Sequence, residues 1–214
     1  MAHSAANSDE VDSLLRQAAA GDEAVWGELL ESQRPRLRRM VELRLDPRLQ
    51  GRLDASDVIQ EAYVTAFLQL ANYLEQQTLP FPLWLRLVTG QKLVALHRNH
   101  LGTKSRDARR QISIFQGASP AASSGAMASK LIGRGPSPSE NVGEMEERRR
   151  VQDALDRMNP LDREILALRH FEQLTNAETA QMLGLERSAA SKRYVRALQR
   201  IKEILSGMPQ DPGA

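Results

Sequence analysis

Residues 174–205 read LTNAETAQMLGLERSAASKRYVRALQRIKEIL, and the reading of this stretch decides the fold. Thr175-Asn176-Ala177-Glu178 forms a capping box. The Thr hydroxyl can accept from the backbone N–H three residues on, while the Glu carboxylate reaches back. The helix it opens is short, with Ala177, Ala180 and Leu183 at inward spacing, and Gly184 suits a left-handed end. Leu185 follows as an apolar plug, and a second helix is predicted from about Arg187 to Leu205. Ala190, Tyr194, Ala197, Leu198, Ile201 and Leu205 fall on its inner face. Arg187, Ser188, Ser191, Lys192 and Arg196 fall on the opposite side. A short helix, a Gly-containing turn and a longer basic helix read as a helix-turn-helix, whose second helix fits the DNA major groove. There Arg and Lys can donate to guanine edges, and Ser can contact either base type or phosphate. The alternative is an ordinary helical hairpin with a solvated basic face. The capping box, the Gly turn, the small Ala180 and the acid-free run over 187–202 weigh against it.

Upstream, the same periodicity continues. Val151, Ala154, Leu155 and Met158 mark a helix ending at Asn159-Pro160. Asp162 starts another, carrying Ile165, Leu166 and Leu168. At the other end of the chain, a short helix over Val11 to Ala20 stops at Gly21. Asp22 can cap a second helix through Val25, Trp26, Leu29, Leu30, Leu37, Met40, Val41 and Leu45, with Pro35 a candidate kink. Asp54 or Ser56 can cap a third, with Val58, Ile59, Ala62, Tyr63, Ala66, Phe67 and Leu70 on its apolar face. Asn72 to Pro82 reads as a loop, and a fourth helix runs from about Leu83 to Asn99. No run alternates with period two, so the expected class is all-α.

Composition bounds the function. The chain has 214 residues, 29 Lys+Arg against 27 Asp+Glu, nine aromatics and no cysteine. That excludes a disulfide scaffold, a Cys-ligated zinc site and a thiol nucleophile. No apolar run approaches the ~20 residues that span a bilayer. The first ten residues lack both the basic start and the apolar stretch of a signal peptide, so a cytoplasmic location is expected. The formal net charge of +2 hides an uneven distribution. Residues 1–101 carry 11 basic and 13 acidic side chains, 102–143 six and two, and 144–214 twelve of each. Yet residues 187–202 hold six basic groups, Arg187, Lys192, Arg193, Arg196, Arg200 and Lys202, and no acid. Residues 117–139, GASPAASSGAMASKLIGRGPSPS, offer few core-sized groups and read as part of a linker with a short helical piece around Met127 to Ile132.

Two clusters in the N-terminal half have two readings each. Asp57, Gln60 and Glu61 point outward together at helical spacing, which suits a solvated face. Lys92, His97, Arg98, Asn99 and His100 end the fourth helix, where cations favour its dipole. His97 and His100 have a spacing that suits metal ligation, but no acid lies near them, so no metal or cofactor is expected. No phosphate loop, nucleophile motif or HExxH pair is present, which argues against an enzyme.

These residues resemble one family. Leu155-Asp-Arg-Met-Asn-Pro-Leu-Asp-Arg-Glu-Ile-Leu-Ala-Leu-Arg-His-Phe-Glu-Gln-Leu-Thr, with Glu178-Thr-Ala-Gln-Met-Leu-Gly-Leu and Lys192-Arg-Tyr-Val-Arg-Ala-Leu, resembles region four of bacterial sigma factors. Asp54-Ala-Ser-Asp-Val-Ile-Gln-Glu-Ala-Tyr-Val-Thr-Ala-Phe and Phe81-Pro-Leu-Trp-Leu-Arg-Leu-Val resemble region two. With nothing like region three between them, the pattern is similar to the extracytoplasmic-function group of the sigma-70 family.

The resemblance implies two helical domains joined by a flexible linker. Their boundaries would be a disordered N-terminus over 1–10, a region-two-like domain over 11–102, a linker over 103–143, a region-four-like domain over 144–206 and a disordered tail over 207–214. It also implies roles. Asp57, Gln60 and Glu61 would dock on the β′ clamp helices of core RNA polymerase. Asn72, Tyr73, Phe81, Lys92, His97, Arg98 and Asn99 would engage the minus-ten element and hold its unpaired strand. Arg187, Ser188, Ser191, Lys192, Arg193 and Arg196 would read the minus-thirty-five element. Expected partners are the core polymerase (β′ clamp helices and β flap), promoter DNA and an anti-sigma protein, without membrane insertion and with the free chain a monomer. Two features depart from the family's pattern. Thr179 stands where Ile is usual, which implies looser packing, and the linker is long for the group.

Overall fold

Helix caps set where the chain turns. In the computed structural model, which describes residues 2–49, 51–101, 119–132 and 142–208, all regular elements are helical and the described residues include no strand. The first helix, α1, spans Ala2–Ala19. Asp22 accepts from the Val25 N–H at 3.1 Å and opens α2, Glu23–Arg44, which continues through Pro35. A 3₁₀ turn, Pro47–Leu49, leads to Asp54, which accepts from the Ser56 and Asp57 N–H groups at 2.7 and 2.9 Å. It opens α3, Ala55–Gln76, and α4 follows as Phe81–Leu101. Then come α5, Ser124–Ile132, and α6, Val142–Asp156. Helix α7, Pro160–Leu166, begins with proline at its first position, where the missing N–H costs nothing. A π-turn over Ala167–Phe171 precedes α8, Asn176–Leu183, and α9, Arg187–Ser206.

Three expectations change. The stretch Asn72 to Pro82 is mostly not a loop. Helix α3 runs on to Gln76, because no breaker precedes Thr78 and Pro80, and it ends on the left-handed Gln77. Residues 2–10 belong to α1 rather than to an irregular N-terminus; Ala2, Ala5 and Ala6 are strong helix formers with no Gly or Pro among them. The expected linker, 103–143, is only partly described. Residues 103–118 and 133–141 lie outside the described residues, as do 209–214 of the expected tail. The part between them is an ordered strap: Met127 and Ala128 are fully buried, and the Ser123 N–H donates to the Leu43 carbonyl at 2.9 Å.

That strap lies between α2 and α6, and the core is continuous through it. Apolar side chains from Leu29, Val58 and Leu85 run through Met127 into Leu155, Ile165 and Leu183 without a break. The N-terminal part is organised by aromatic rings. Tyr73 stacks on Trp84 at 4.3 Å, and Phe81 lies about 6 Å from Trp26, Tyr73 and Trp84. Such pairs contribute about 0.5–1.5 kcal/mol each beyond their burial.

Charge also crosses between the two halves. The Arg44 guanidinium on α2 is completely buried, donating to Glu164 at 2.6 Å and to Glu172. Arg86 on α4 donates twice to Glu172, at 2.7 and 3.1 Å. Further out, Arg36 donates to Glu178 at 2.7 Å. Glu172 is only 1% exposed. Burial alone would push its carboxyl up, but Arg44 and Arg86 outweigh this and hold it below the ordinary carboxylate range.

The strap is therefore part of the core, and its removal has a definite cost. Met127→Ala should destabilise the chain by about 2–5 kcal/mol in urea unfolding followed by circular dichroism. A change near zero would mean that α5 does not pack as described.

Candidate nucleic-acid interface and protein-docking face

The helix-turn-helix is built from local hydrogen bonds. The Thr175 hydroxyl accepts from the Glu178 N–H at 3.2 Å, and the Glu178 carboxylate accepts from the Thr175 N–H at 2.7 Å. Gly184 takes a left-handed φ of 62°, letting the Leu185 N–H donate back to the Ala180 carbonyl at 2.8 Å. The Asn176 amide then ties the Arg187 carbonyl at 2.8 Å, fixing where α9 starts. Ala190 and Ala197 are fully buried against the preceding helices, small enough for close approach. The Arg169 guanidinium lies over the Tyr194 ring at 5.2 Å and braces the inner side of α9. Thr179 is also fully buried, and its hydroxyl has no hydrogen-bond partner. A buried orphan hydroxyl costs about 1–3 kcal/mol, a penalty that an apolar side chain at this position would not carry.

On the outer side of α9, Arg187, Ser188, Ser191, Lys192 and Arg196 are exposed together. Arg193 is different. It is half-buried, and its Nε donates to Asp162 on α7 at 2.7 Å, so this charge braces the motif and is not offered outward. Leu198, expected inward, is 43% exposed.

The seven residues expected at the minus-ten element divide. Asn72, Arg98 and Asn99 are exposed, with Asn72 accepting from the Gln76 amide at 2.9 Å. Lys92 is half-buried, 3.5 Å from Glu61. Tyr73 and Phe81, however, are core residues. The Tyr73 hydroxyl donates to the Leu79 carbonyl at 3.0 Å, and burial pushes its phenol up to about 12. Phe81 is 3% exposed within the ring cluster. Neither presents a face for a flipped base here, because the extension of α3 turns Tyr73 inward and the start of α4 turns Phe81 to meet it.

His97 is half-buried, and its Nε2 accepts from the Asp46 backbone N–H at 3.3 Å. That bond needs the neutral ring. Burial lowers its pKa, while nearby Asp46 opposes the shift and Arg48 adds to it. Among the described residues no group of three His, Asp or Glu side chains is placed to hold a metal ion.

The third cluster lies on α3. Asp57 accepts from the Asp54 N–H at 2.9 Å, completing a capping box, so it starts the helix whatever else it does. Gln60 and Glu61 are exposed. Beyond them Val64 is 63%, Phe67 47% and Leu68 78% exposed. Phe67 was expected inward; its ring instead lies at the rim, 6.0 Å from Trp26. These three apolar groups were missed from the sequence. The available signal was Val64 and Leu68, which follow Gln60 at four-residue spacing and so share its outward face. An exposed apolar stripe bordered by polar side chains is the composition of a protein-docking face.

Residues 154–203 match the family model described as Sigma-70, region 4. Over 195 residues the chain is 28% identical to the ECF RNA polymerase sigma factor SigD of Mycobacterium tuberculosis, covering 91% of this chain and 84% of that protein. Over 192 residues it is 25% identical to the ECF RNA polymerase sigma factor BldN of Streptomyces coelicolor, covering 90% and 64%. Its fold is similar to that of CnrH, solved in complex with the cytosolic domain of CnrY, with a TM-score of 0.54 at 19% identity, covering 92% of this chain and 98% of that one.

The His97 contact gives a measurable consequence. Its folded pKa lies below 6.5, so the stability it contributes is present above that value and falls as the pH drops through it. An NMR titration of the His97 ring should show a midpoint below 6.5, and a midpoint at or above 6.5 would contradict the Asp46 contact.

Proposed function

We infer, for a chain that belongs to the extracytoplasmic-function group of the sigma-70 family, that it binds core RNA polymerase and directs promoter-specific transcription initiation. The observation that carries this reading is α9, which buries Ala190 and Ala197 and keeps Arg187, Ser188, Ser191, Lys192 and Arg196 exposed on one side. In this reading those five residues read the minus-thirty-five element, and Arg193 joins them only by leaving Asp162. Asn72, Arg98 and Asn99, with Lys92 beside them, contact the unpaired strand at the minus-ten element. The β′ clamp helices dock on Gln60 and Glu61 together with the apolar Val64, Phe67 and Leu68, with Asp57 holding the start of that helix. The region-four-like domain meets the β flap.

The chain supplies specificity and binding, and the polymerase supplies the chemistry; it has no catalysis of its own. No described helix is long and apolar enough to cross a membrane, and a partner of RNA polymerase works in the cytoplasm. Relatives solved with the cytosolic domain of CnrY and with NepR, the latter an anti-sigma factor, support an anti-sigma protein as a further partner.

Two measurements test the reading. Transcription in vitro with core polymerase should depend on this chain at its own promoters, and Gln60→Ala with Glu61→Ala should weaken core binding without changing the duplex affinity. Equal core affinity would remove the clamp assignment. Arg196→Ala should cost about 1–3 kcal/mol in duplex binding and relax preference at one base pair. A loss uniform across sequences, with a shallower salt dependence, would instead make Arg196 a phosphate contact.

A further inference from the structure

We propose that Asp162 is a brake on duplex binding: it takes Arg193 out of the basic face of α9, so that the chain makes one phosphate contact fewer on the DNA it meets. This rests on the DNA-binding reading of α9 above and names a residue that tunes its strength. Of the six basic groups over 187–202, Arg193 is the one that meets an acid of another helix. Arg200 pairs only loosely with Glu203 of its own helix, at 3.4 Å, and Arg187, Lys192, Arg196 and Lys202 meet no acid among the described residues.

The pair is of a kind that exchanges partners. Arg193 gives Asp162 a single bond, from Nε at 2.7 Å, and the two side chains keep 33% and 22% exposure. Arg86 shows the contrast: it makes two bonds to Glu172, and those side chains are 6% and 1% exposed. A two-pronged pair sealed from water is strong, whereas a one-pronged, partly hydrated pair contributes little, and a DNA phosphate offers the guanidinium an equivalent anion. The pair braces α7 against α9, but α9 has other anchors. Ala190 and Ala197 are buried beneath it, Asn176 ties the Arg187 carbonyl at 2.8 Å, and Arg169 lies over the Tyr194 ring. Asp162 sits in the first turn of α7, where a carboxylate complements the helix dipole, so an acid there has a stabilising reason of its own.

What the brake changes is the hold on DNA in general. Phosphate contacts carry no sequence information, so each one strengthens the grip on bulk DNA as much as on a promoter. Arg193 follows Lys192 directly and lies one turn before Arg196, so a freed guanidinium joins the same basic row. By cancelling that charge, Asp162 keeps the grip of α9 on non-promoter DNA low. Selection is left to Arg187, Ser188, Ser191, Lys192 and Arg196, which stand exposed beside it.

Because the effect is independent of sequence, the full chain and a short labelled duplex of arbitrary sequence test it, by fluorescence anisotropy over a range of salt. Asp162→Asn should bind more tightly than the parent, by about 15-fold at 50 mM salt and about fourfold at 200 mM counted from 1 M, with a salt slope steeper by about 0.9, the release of one further counterion. Asp162→Asn with Arg193→Gln, which removes both charges, should return to the parent's affinity and slope. Circular dichroism checks folding. If the single variant does not fold, the double variant, which leaves no charge unpaired, decides the question. Parental affinity and slope support the brake; a slope shallower by about 0.9 overturns it, because Arg193 then already touches phosphate in the parent. Asp162→Asn that binds no tighter than the parent, or tighter with an unchanged slope, overturns it as well, and so does a gain that survives in the double variant. A parent that binds no duplex even at low salt sinks the DNA-binding reading of α9 and the brake with it, whereas a parent that binds, with no gain in Asp162→Asn, removes the brake alone.

Discussion

A carboxylate with almost no exposure is the constraint around which the rest of the structure is arranged. Glu172 can stay charged in the interior only because two guanidinium groups meet it with good geometry. Those groups come from α2 and α4, so both helices must present an arginine at the same depth. The carboxylate comes from a π-turn and a left-handed residue, two departures from regular helix that cost energy locally and are tolerated where tertiary contacts fix them. Glu164 shares the load on Arg44, and burial of Met127 closes the edge of the joint. Removing Glu172 would take from the buried Arg86 the acid it pairs with, and removing either arginine would leave the buried Glu172 with one guanidinium in place of two.

Around this joint the surfaces divide the work. The outer side of α9 is basic and small, suited to the groove of a duplex. The outer side of α3 is polar at one end and apolar along the rest, suited to another protein's helices. Neither surface is consumed by the joint, so both stay exposed while the two halves share one core. The net charge of +2 is the sum of these unlike patches and is informative only once divided.

Much of this was legible in the sequence because it rests on local rules. Asp22, Asp54 and Thr175 cap helices that begin one residue later, and Gly184 ends α8 in the left-handed conformation. The exposed serines and arginines of α9 follow from its period alone. What failed did so for reasons of length and depth. Prolines at 80 and 82 make Asn72 to Pro82 read as one loop, and the resemblance then implies DNA contact by Tyr73 and Phe81 on it, yet Pro80 closes a four-residue loop and Pro82 sits in the first turn of α4. Phe67 and Leu198 satisfy the spacing of an inward face and still lie at its edge, because periodicity gives direction around a helix and not the extent of the neighbour that covers it. Arg193 looked like its neighbours, but Asp162, 31 residues away, decides its use.

The sequence by itself determined the helices, their caps, the helix-turn-helix and the two families of surface residues, since each depends on contacts within a few residues. Only the tertiary structure decided that the two halves share a core, that the middle of the linker is a buried strap, and that Arg44, Arg86 and Glu172 belong to one charge cluster. The physical reason is separation along the chain. Glu172 lies 128 residues from Arg44 and 86 from Arg86, and no local pattern distinguishes an arginine that will be solvated from one that will be buried against a partner so far away.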